Sequence, residues 1–194
     1  MSQIAIIGNG NVGKALAESF RRGGHQVRFG ERTPESITAA AKNADAIVLA
    51  VPADAAVEAL GAAGDVSGKL VIDCTNPLGW ADGPVRNAPP EGSNAARLQA
   101  KYPGAKIVKA LNTMPAEVHA TAKVGSRAVE AHYAGDDPGA KKLFADLAKS
   151  AGFVPVDVGP LRNAAHLESL AVLVIHLGTV GGLGRNIAFN LDRA

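Results

Sequence analysis

The sequence predicts an α/β fold, doubly wound, with a mainly parallel sheet, and three observations carry that reading. Short apolar runs alternate along the chain with longer segments of helical period, the pattern of a parallel sheet with helices on both faces. The run from Ala46 to Val51 is apolar throughout, as a central parallel strand covered on both faces requires. No repeat or low-complexity stretch divides the 194 residues, a length near that of one large domain.

The elements follow in order. Ile4-Ala5-Ile6-Ile7 reads as the first strand. Val12, Ala15, Leu16, Ser19 and Phe20 then share one face of a helix that Gly23-Gly24 ends. Val27 and Phe29 alternate with Gln26 and Arg28 as a second strand. Thr33 is placed to cap the next helix, with Pro34 at its first position and Glu35 set favourably against the helix dipole. Pro52 closes the third strand, and Asp54 is expected to cap the helix carrying Val57 and Leu60. Leu70-Val71-Ile72 and Ile107-Val108 form the fourth and fifth strands, separated by a long loop from Trp80 to Gly92 and a short helix from Ser93. Val129 to Ala134 is a sixth strand, Asp137-Pro138 opens a further helix, and Phe153 to Val158 is a seventh strand.

Residues 1–160 thus make the sheet domain, and residues 161–194 a short helical C-terminal extension of the same unit. Within that extension Leu170 to Ile175 is apolar on every side of a helix. A helix of that kind calls for burial all round, which predicts a homodimer contact.

Composition narrows the function. Lys plus Arg number 20 against 18 Asp plus Glu, a net charge of +2, whereas nucleic acid or an anionic membrane demands clustered positive excess. One cysteine, Cys74, excludes an internal disulfide framework and a Cys-based zinc site, and it reads as a small buried residue rather than a nucleophile. Met1-Ser2-Gln3 opens no signal peptide, and the longest apolar run is too short to cross a bilayer, so a soluble cytoplasmic protein is expected. The five histidines, His25, His119, His132, His166 and His176, have no metal-ligand spacing, and no serine sits in a nucleophile elbow. No catalytic side chain and no metal ligand is assigned. A bound cofactor that carries the chemistry itself needs positioning more than a protein acid or base.

The motif that supplies such a cofactor is Gly8-Asn9-Gly10-Asn11-Val12-Gly13, a G-x-G-x-x-G directly after the first strand and opening the first helix. Gly8 permits the tight turn, Gly10 lets the backbone approach a pyrophosphate, and Gly13 allows close packing of helix on strand. The helix N-terminus presents N–H groups and a positive dipole end to the phosphates. In this context the motif predicts a Rossmann-type dinucleotide site.

At the end of the second strand stand both an acid, Glu31, and a base, Arg32. Arg32 with Thr33 at a helix start makes a 2′-phosphate cradle, with Arg28 nearby, which favours NADP(H) over NAD; Arg32 also reads as a solvated surface arginine. Ligands of open parallel sheets bind at the carboxyl ends of the strands, and here those ends deliver Val51-Pro52, Asn76 and Asn112-Thr113-Met114. Val51, Pro52 and Asn76 are assigned to the ribose and nicotinamide, and Asn112, Thr113 and Met114 to the substrate. Asn76 and Asn112 read equally well as turn residues, since Asn-Pro is a common turn dipeptide.

Five stretches, Ile6 to Lys14, Gly30-Glu31-Arg32, Lys109 to Ala116, Gly135-Asp136-Asp137 and Val156 to Ala164, resemble the NADPH-dependent reductases of the deazaflavin coenzyme F-420. They are similar too to the cytoplasmic reductase domain of the membrane-bound metalloreductases, which pass hydride from NADPH to a flavin. The resemblance implies a homodimer with NADPH over the glycine loop, Arg32 and Thr33 at its 2′-phosphate, and an electron acceptor such as coenzyme F-420, FAD or FMN stacked near Asn112 and the C-terminal segment. Two alternatives remain at this level. One is an imine or carbonyl reductase, a class that resembles the chain at the glycine loop but relies on a long helical C-terminal domain. The other is a non-catalytic NADP(H)-binding sensor.

Overall fold

The structure, a computed structural model, describes residues 1–192. β1 (Gln3–Ile7) leads through the glycine turn into α1 (Asn11–Arg22), followed by β2 (Gln26–Gly30), α2 (Pro34–Ala41), β3 (Ala46–Leu49), a 3-10 turn at Ala53–Ala55 and α3 (Ala56–Gly61). β4 (Leu70–Asp73) precedes a hairpin of β5 (Leu78–Ala81) and β6 (Gly83–Arg86), then α4 (Asn94–Lys101), β7 (Lys106–Ala110) and α5 (Ala116–Thr121). A small hairpin of β8 (Lys123–Val124) and β9 (Arg127–Ala128), β10 (Glu130–Gly135), α6 (Pro138–Ser150), β11 (Val154–Asp157), a 3-10 turn at Leu161–Asn163 and α7 (Ala164–Gly178) complete the order.

The main sheet has seven strands in the order β2-β1-β3-β4-β7-β10-β11. From β1 the chain goes outward to β2 and then crosses back to β3 on the other side. That reversal opens a crevice at the carboxyl ends of β1 and β3, where ligands of doubly wound sheets bind. Successive residues of β1 face opposite sides of the sheet. Ile4 and Ile6 join Leu16, Phe20, Val48 and Phe144 in one core, while Ala5 and Ile7 join Ile37, Ile47, Leu60 and Leu98 in the other.

The sheet is parallel except at one junction: β10 runs antiparallel to β7, with Tyr133 opposite Ala110. The six residues of α5 span too short a distance to return the chain across the sheet. β10 therefore enters from the end at which β7 leaves. α6, with 13 residues, does cross, and β11 pairs parallel to β10.

Helix starts follow the expected chemistry at Thr33, whose side chain accepts from the Ser36 amide at 3.3 Å, and at Asp137, which accepts from the Ala140 amide at 2.8 Å. Ser93 likewise accepts from the Ala96 amide at 3.1 Å. Asp54 is a correction: it lies in the 3-10 turn, and α3 starts without a side-chain cap. The long loop expected from Trp80 to Gly92 is a second correction, because Leu78 to Arg86 form the β5–β6 hairpin.

α7 lies against β6, β7, β10 and α4. It buries Ala164, Leu167, Glu168, Ala171 and Val174 and leaves Leu173 exposed. Past Gly178 the extension is irregular rather than helical. It runs back to the start of β10, where Asn190 Oδ1 accepts from the Glu130 amide at 3.1 Å. The extension assigned to residues 161–194 includes two positions, 193–194, outside the described residues.

Candidate functional site

The turn after β1 is shaped by two close approaches. Gly8 has φ 109°, and a Cβ on it would stand 2.3 Å from the Ala50 carbonyl oxygen, so only glycine takes this bend beside β3. A Cβ on Gly13 would stand 2.1 Å from the Gly8 oxygen, which lets α1 close on the turn. Gly10 differs, because nothing lies within 4 Å of where its Cβ would be. Its backbone is bare toward the groove.

The first bond of α1 runs from the Lys14 amide to the Gly10 oxygen at 2.9 Å, so the amides of Asn11, Val12 and Gly13 have no partner within the helix. No acidic side chain stands in that first turn. The positive end of the helix dipole is thus not compensated by the helix's own first turn, an electrostatic condition that favours a phosphate.

A groove of about 810 Å³ runs from this turn past the end of β2, lined by Gly8, Asn9, Gly10, Arg32 and Val51, together with Lys14, Glu31 and Glu58. Arg32 takes the left-handed conformation, φ 42°, just before α2. Glu31 is tied to the glycine turn: Asn9 Nδ2 donates to its Oε1 at 2.7 Å. Its amide donates to Ser36 Oγ at 3.0 Å.

A second cavity, about 250 Å³, lies between Val12 of α1, the ends of β4 and β7, and the inner face of α7. Asn76, Asn112 and Met114 line it, with Ala171, Val174 and Ile175 from α7. Asn76 Nδ2 donates to the Asn112 carbonyl at 2.9 Å, while Asn112 Nδ2 donates to Asn76 Oδ1 at 2.8 Å and to the Leu167 carbonyl at 3.1 Å. Those bonds orient the Asn112 amide and leave its Oδ1 buried with no partner among the described residues. An unpaired buried acceptor costs about 1–3 kcal/mol.

Asn11, Gly13, Thr33, Pro52 and Thr113 line neither cavity. Gly13 packs against the turn, Thr33 caps α2, and Thr113 is buried. Burial pushes the Cys74 thiol up, so it is no thiolate nucleophile. Among the described residues no cluster of His, Cys, Asp or Glu is arranged to hold a metal ion, and no helix is long and apolar enough to cross a membrane.

Sequence reasoning passed over a buried ionic cluster beside the second cavity. The Lys109 side chain is fully buried; its Nζ stands 3.0 Å from Asp73 Oδ2 and 3.1 Å from Glu168 Oε1, and donates to the Thr75 carbonyl. Glu168 Oε2 pairs with Arg86 at 3.0 Å. The signal lay in the strands themselves: Asp73 and Lys109 break two apolar runs and face each other in register. Arg185, which lines the second cavity from beyond α7, carried no such signal.

Residues 3–44 and 38–77 match the family model described as NADP oxidoreductase, coenzyme F420-dependent, a span that holds the glycine turn, Glu31-Arg32 and Asn76. The structure of a protein from Arthrobacter sp. FB24, provisionally described as an F420-dependent NADP-reductase, matches with a TM-score of 0.87 at 29% identity, covering 100% of both chains. Metalloreductase STEAP3 of Rattus norvegicus is 25% identical over 187 residues, covering 89% of this chain and 37% of that protein. By these matches the chain is similar to NADP-dependent oxidoreductases. The chain spans well under half the length of the curated metalloreductases it matches. Its fold is shared by a reductive aminase from Aspergillus terreus in complex with NADPH and ethyl levulinate, with a TM-score of 0.65 and 22% identity over 94% of this chain and 63% of that one.

Proposed function

We propose that the protein transfers hydride between NADP(H), bound along the groove, and a flavin-like or deazaflavin ring, that of coenzyme F420, FAD or FMN, in the small cavity. One observation carries the reading. The cavity beside the first turn of α1 is lined largely by apolar side chains, with Asn76 and Asn112 fixed by their mutual hydrogen bonds, and its lining among the described residues holds no side chain that titrates near neutrality. Such a slot suits a reaction that needs two rings held within about 3.5 Å rather than a protein acid.

In this reading Gly8, Gly10 and the free amides of Asn11, Val12 and Gly13 receive the pyrophosphate, while Arg32 and Thr33 receive the 2′-phosphate. Asn9 holds the Glu31 carboxylate to the glycine turn. Val51, Pro52 and Asn76 run along the ribose and nicotinamide. Asn112, Thr113 and Met114 form the acceptor side. NADPH, when bound, supplies the hydride, and a proton from water completes the two-electron reduction of the acceptor. The groove residues match the cofactor's needs on independent grounds, since Gly10 is open and the α1 terminus lacks acidic side chains.

The test mixes the purified protein with NADPH and coenzyme F420, FMN or FAD under anaerobic conditions and follows absorbance at 340 nm. Oxidation by at least one acceptor is expected. Tight NADPH binding with none consumed would mark a cofactor-binding sensor instead. Imine reduction, the activity class of the aminase, requires a proton donor, and the cavity lining holds no Tyr, His, Lys or Asp among the described residues.

We also infer a homodimer through the outer face of α7. Leu173 is 45% exposed, Val180 53% and Trp80 67%, and the β5–β6 hairpin meets the end of α7 where Gly83 approaches His176 and Val180. Large apolar side chains gathered this way mark a surface that burial would stabilise. Sedimentation equilibrium is expected to give twice the chain mass, and Leu173→Glu to give the monomer.

A further inference from the structure

We propose that Arg185 makes the small cavity selective for hydride acceptors that carry a phosphate or carboxylate on the substituent next to their ring. The inference rests on the hydride-transfer reading above and deepens it by naming the substrate class.

Arg185 is the single charged residue among those lining the cavity. It comes from the segment after α7, which folds back on the helix: the Leu183 amide donates to the Leu177 carbonyl at 3.0 Å, and the Gly184 carbonyl abuts Gly178. The fold-back sets the guanidinium opposite the first turn of α5, where Arg185 Nε donates to Glu117 Oε1 at 2.7 Å. Both partners are about half exposed, 56% and 52%, so they stand at the rim of the cavity. An exposed pair of this kind is weak in water, and a ligand can replace it. The Arg185 Nη groups make no hydrogen bond among the described residues. They remain free for the paired grip that a guanidinium makes on a carboxylate or phosphate.

The neighbouring polar groups offer an anion little. Both Asn112 amide hydrogens are engaged, and the Thr179 hydroxyl donates to the Ile175 carbonyl at 2.6 Å. Volume argues the same way. At about 250 Å³ the cavity is below the roughly 300–1,000 Å³ of sites that enclose a whole ligand. It takes a ring and leaves the substituent at the rim, beside Arg185.

Riboflavin and FMN share one ring and differ by a phosphate, so the pair isolates the effect. Each is titrated into the NADP⁺-loaded protein by flavin fluorescence, and each is then offered with NADPH at 340 nm, for the wild type, Arg185→Ala and Glu117→Gln. Wild type is expected to bind FMN about tenfold or more tighter than riboflavin, as a charge-assisted bidentate contact allows. Arg185→Ala is expected to abolish that ratio while leaving riboflavin unchanged, and Glu117→Gln to strengthen FMN alone. Equal binding of the two flavins by the wild type, or a preference that survives Arg185→Ala, overturns the role of Arg185 even if both flavins are reduced. A preference lost in Arg185→Ala with no NADPH oxidised by either flavin or by coenzyme F420 supports that role and overturns the hydride-transfer reading. Binding of neither flavin overturns the role of Arg185, and with no NADPH oxidised by coenzyme F420 either it overturns the hydride-transfer reading as well.

Discussion

Asn76 and Asn112, 36 positions apart, hold each other through two hydrogen bonds, 2.9 Å from Asn76 Nδ2 to the Asn112 carbonyl and 2.8 Å from Asn112 Nδ2 to Asn76 Oδ1. The second donor hydrogen of Asn112 goes to α7, at the Leu167 carbonyl. Two strand ends and the C-terminal helix are thereby locked together at the wall of the small cavity. Asn112→Asp puts an oxygen where that donor was, facing two acceptors. The loss at pH 8 is expected to be about 2 kcal/mol, the cost of leaving buried groups unpaired. Burial against acceptors raises the folded pKa of the new carboxyl, so its protonated form is the one the fold prefers. The destabilisation is therefore smallest at low pH and grows as pH rises above the ordinary carboxyl value. Urea unfolding at pH 5 and pH 8 reads it; a loss independent of pH would contradict the assigned orientation of Asn112.

Lys109 sits between the carboxylates of Asp73 and Glu168 with all three side chains fully buried. Lys109→Met leaves two buried carboxylates facing each other with Arg86 as their nearest remaining cation, and removal of one member of a buried pair costs about 3–5 kcal/mol. For a chain of this size each kcal/mol moves Tm by about 2–4 °C, so a drop near 10 °C is expected by calorimetry. Adding Glu168→Gln to Lys109→Met removes one of the stranded charges. The double variant is expected to lose less than the two single losses combined, and strict additivity would place the ion pairs outside the energetics.

Glu31 and Arg32, both lining the groove at the end of β2, are the residues proposed to set coenzyme choice. Under the proposed assignment Arg32→Ala weakens NADPH binding by about tenfold to a hundredfold with little effect on NADH, the value of one or two charge-assisted bonds. Glu31→Gln removes the repelling charge and shifts preference further toward NADPH. Isothermal titration with both coenzymes decides it, and equal losses for NADPH and NADH in Arg32→Ala would remove Arg32 from the 2′-phosphate.

His119 is fully buried, with neither ring nitrogen hydrogen-bonded among the described residues and its ring edge-on to Phe153 at a centroid distance of 6.4 Å. Burial pulls its pKa down to about 4, against a small opposite pull from Glu117. The unfolded chain binds a proton near pH 6.5, the folded chain only near pH 4. The stability tied to the neutral ring is therefore complete above pH 6.5 and lost progressively as pH falls toward 4. Between pH 8 and pH 5 this histidine alone is expected to remove about 2 kcal/mol. In His119→Leu that share of the pH dependence disappears, as urea unfolding at the two pH values would record.

Much of the fold was legible. β3 lies within the apolar run that announced it, the Thr33 and Asp137 side chains cap the helices they precede, and the glycine turn was readable from its spacing because Gly8 and Gly13 answer to contacts with near neighbours or the adjacent strand. The β5–β6 hairpin was not legible. β5 has no buried residue and β6 buries only the adjacent pair Gly83 and Pro84, so no alternating buried face imposes a period of two on the sequence. Nor was the antiparallel sense of β10, since a strand buried on both faces reads the same in either direction. Arg185 and the Asp73–Lys109–Glu168 cluster depend on where α7 and its trailing segment settle, and local composition does not encode that.

The sequence by itself determined the alternation of strands and helices, the turn after β1 and the match of residues 3–77 to a family model. These depend on backbone preference and side-chain periodicity over a few residues. Only the tertiary structure decided that Asn112 is oriented by Asn76 and Leu167, that Lys109 lies between two carboxylates, and that Arg185 stands at the rim of the cavity. Such pairings join residues far apart in the chain, and their partners are chosen by strand order and by the burial that the whole core makes favourable.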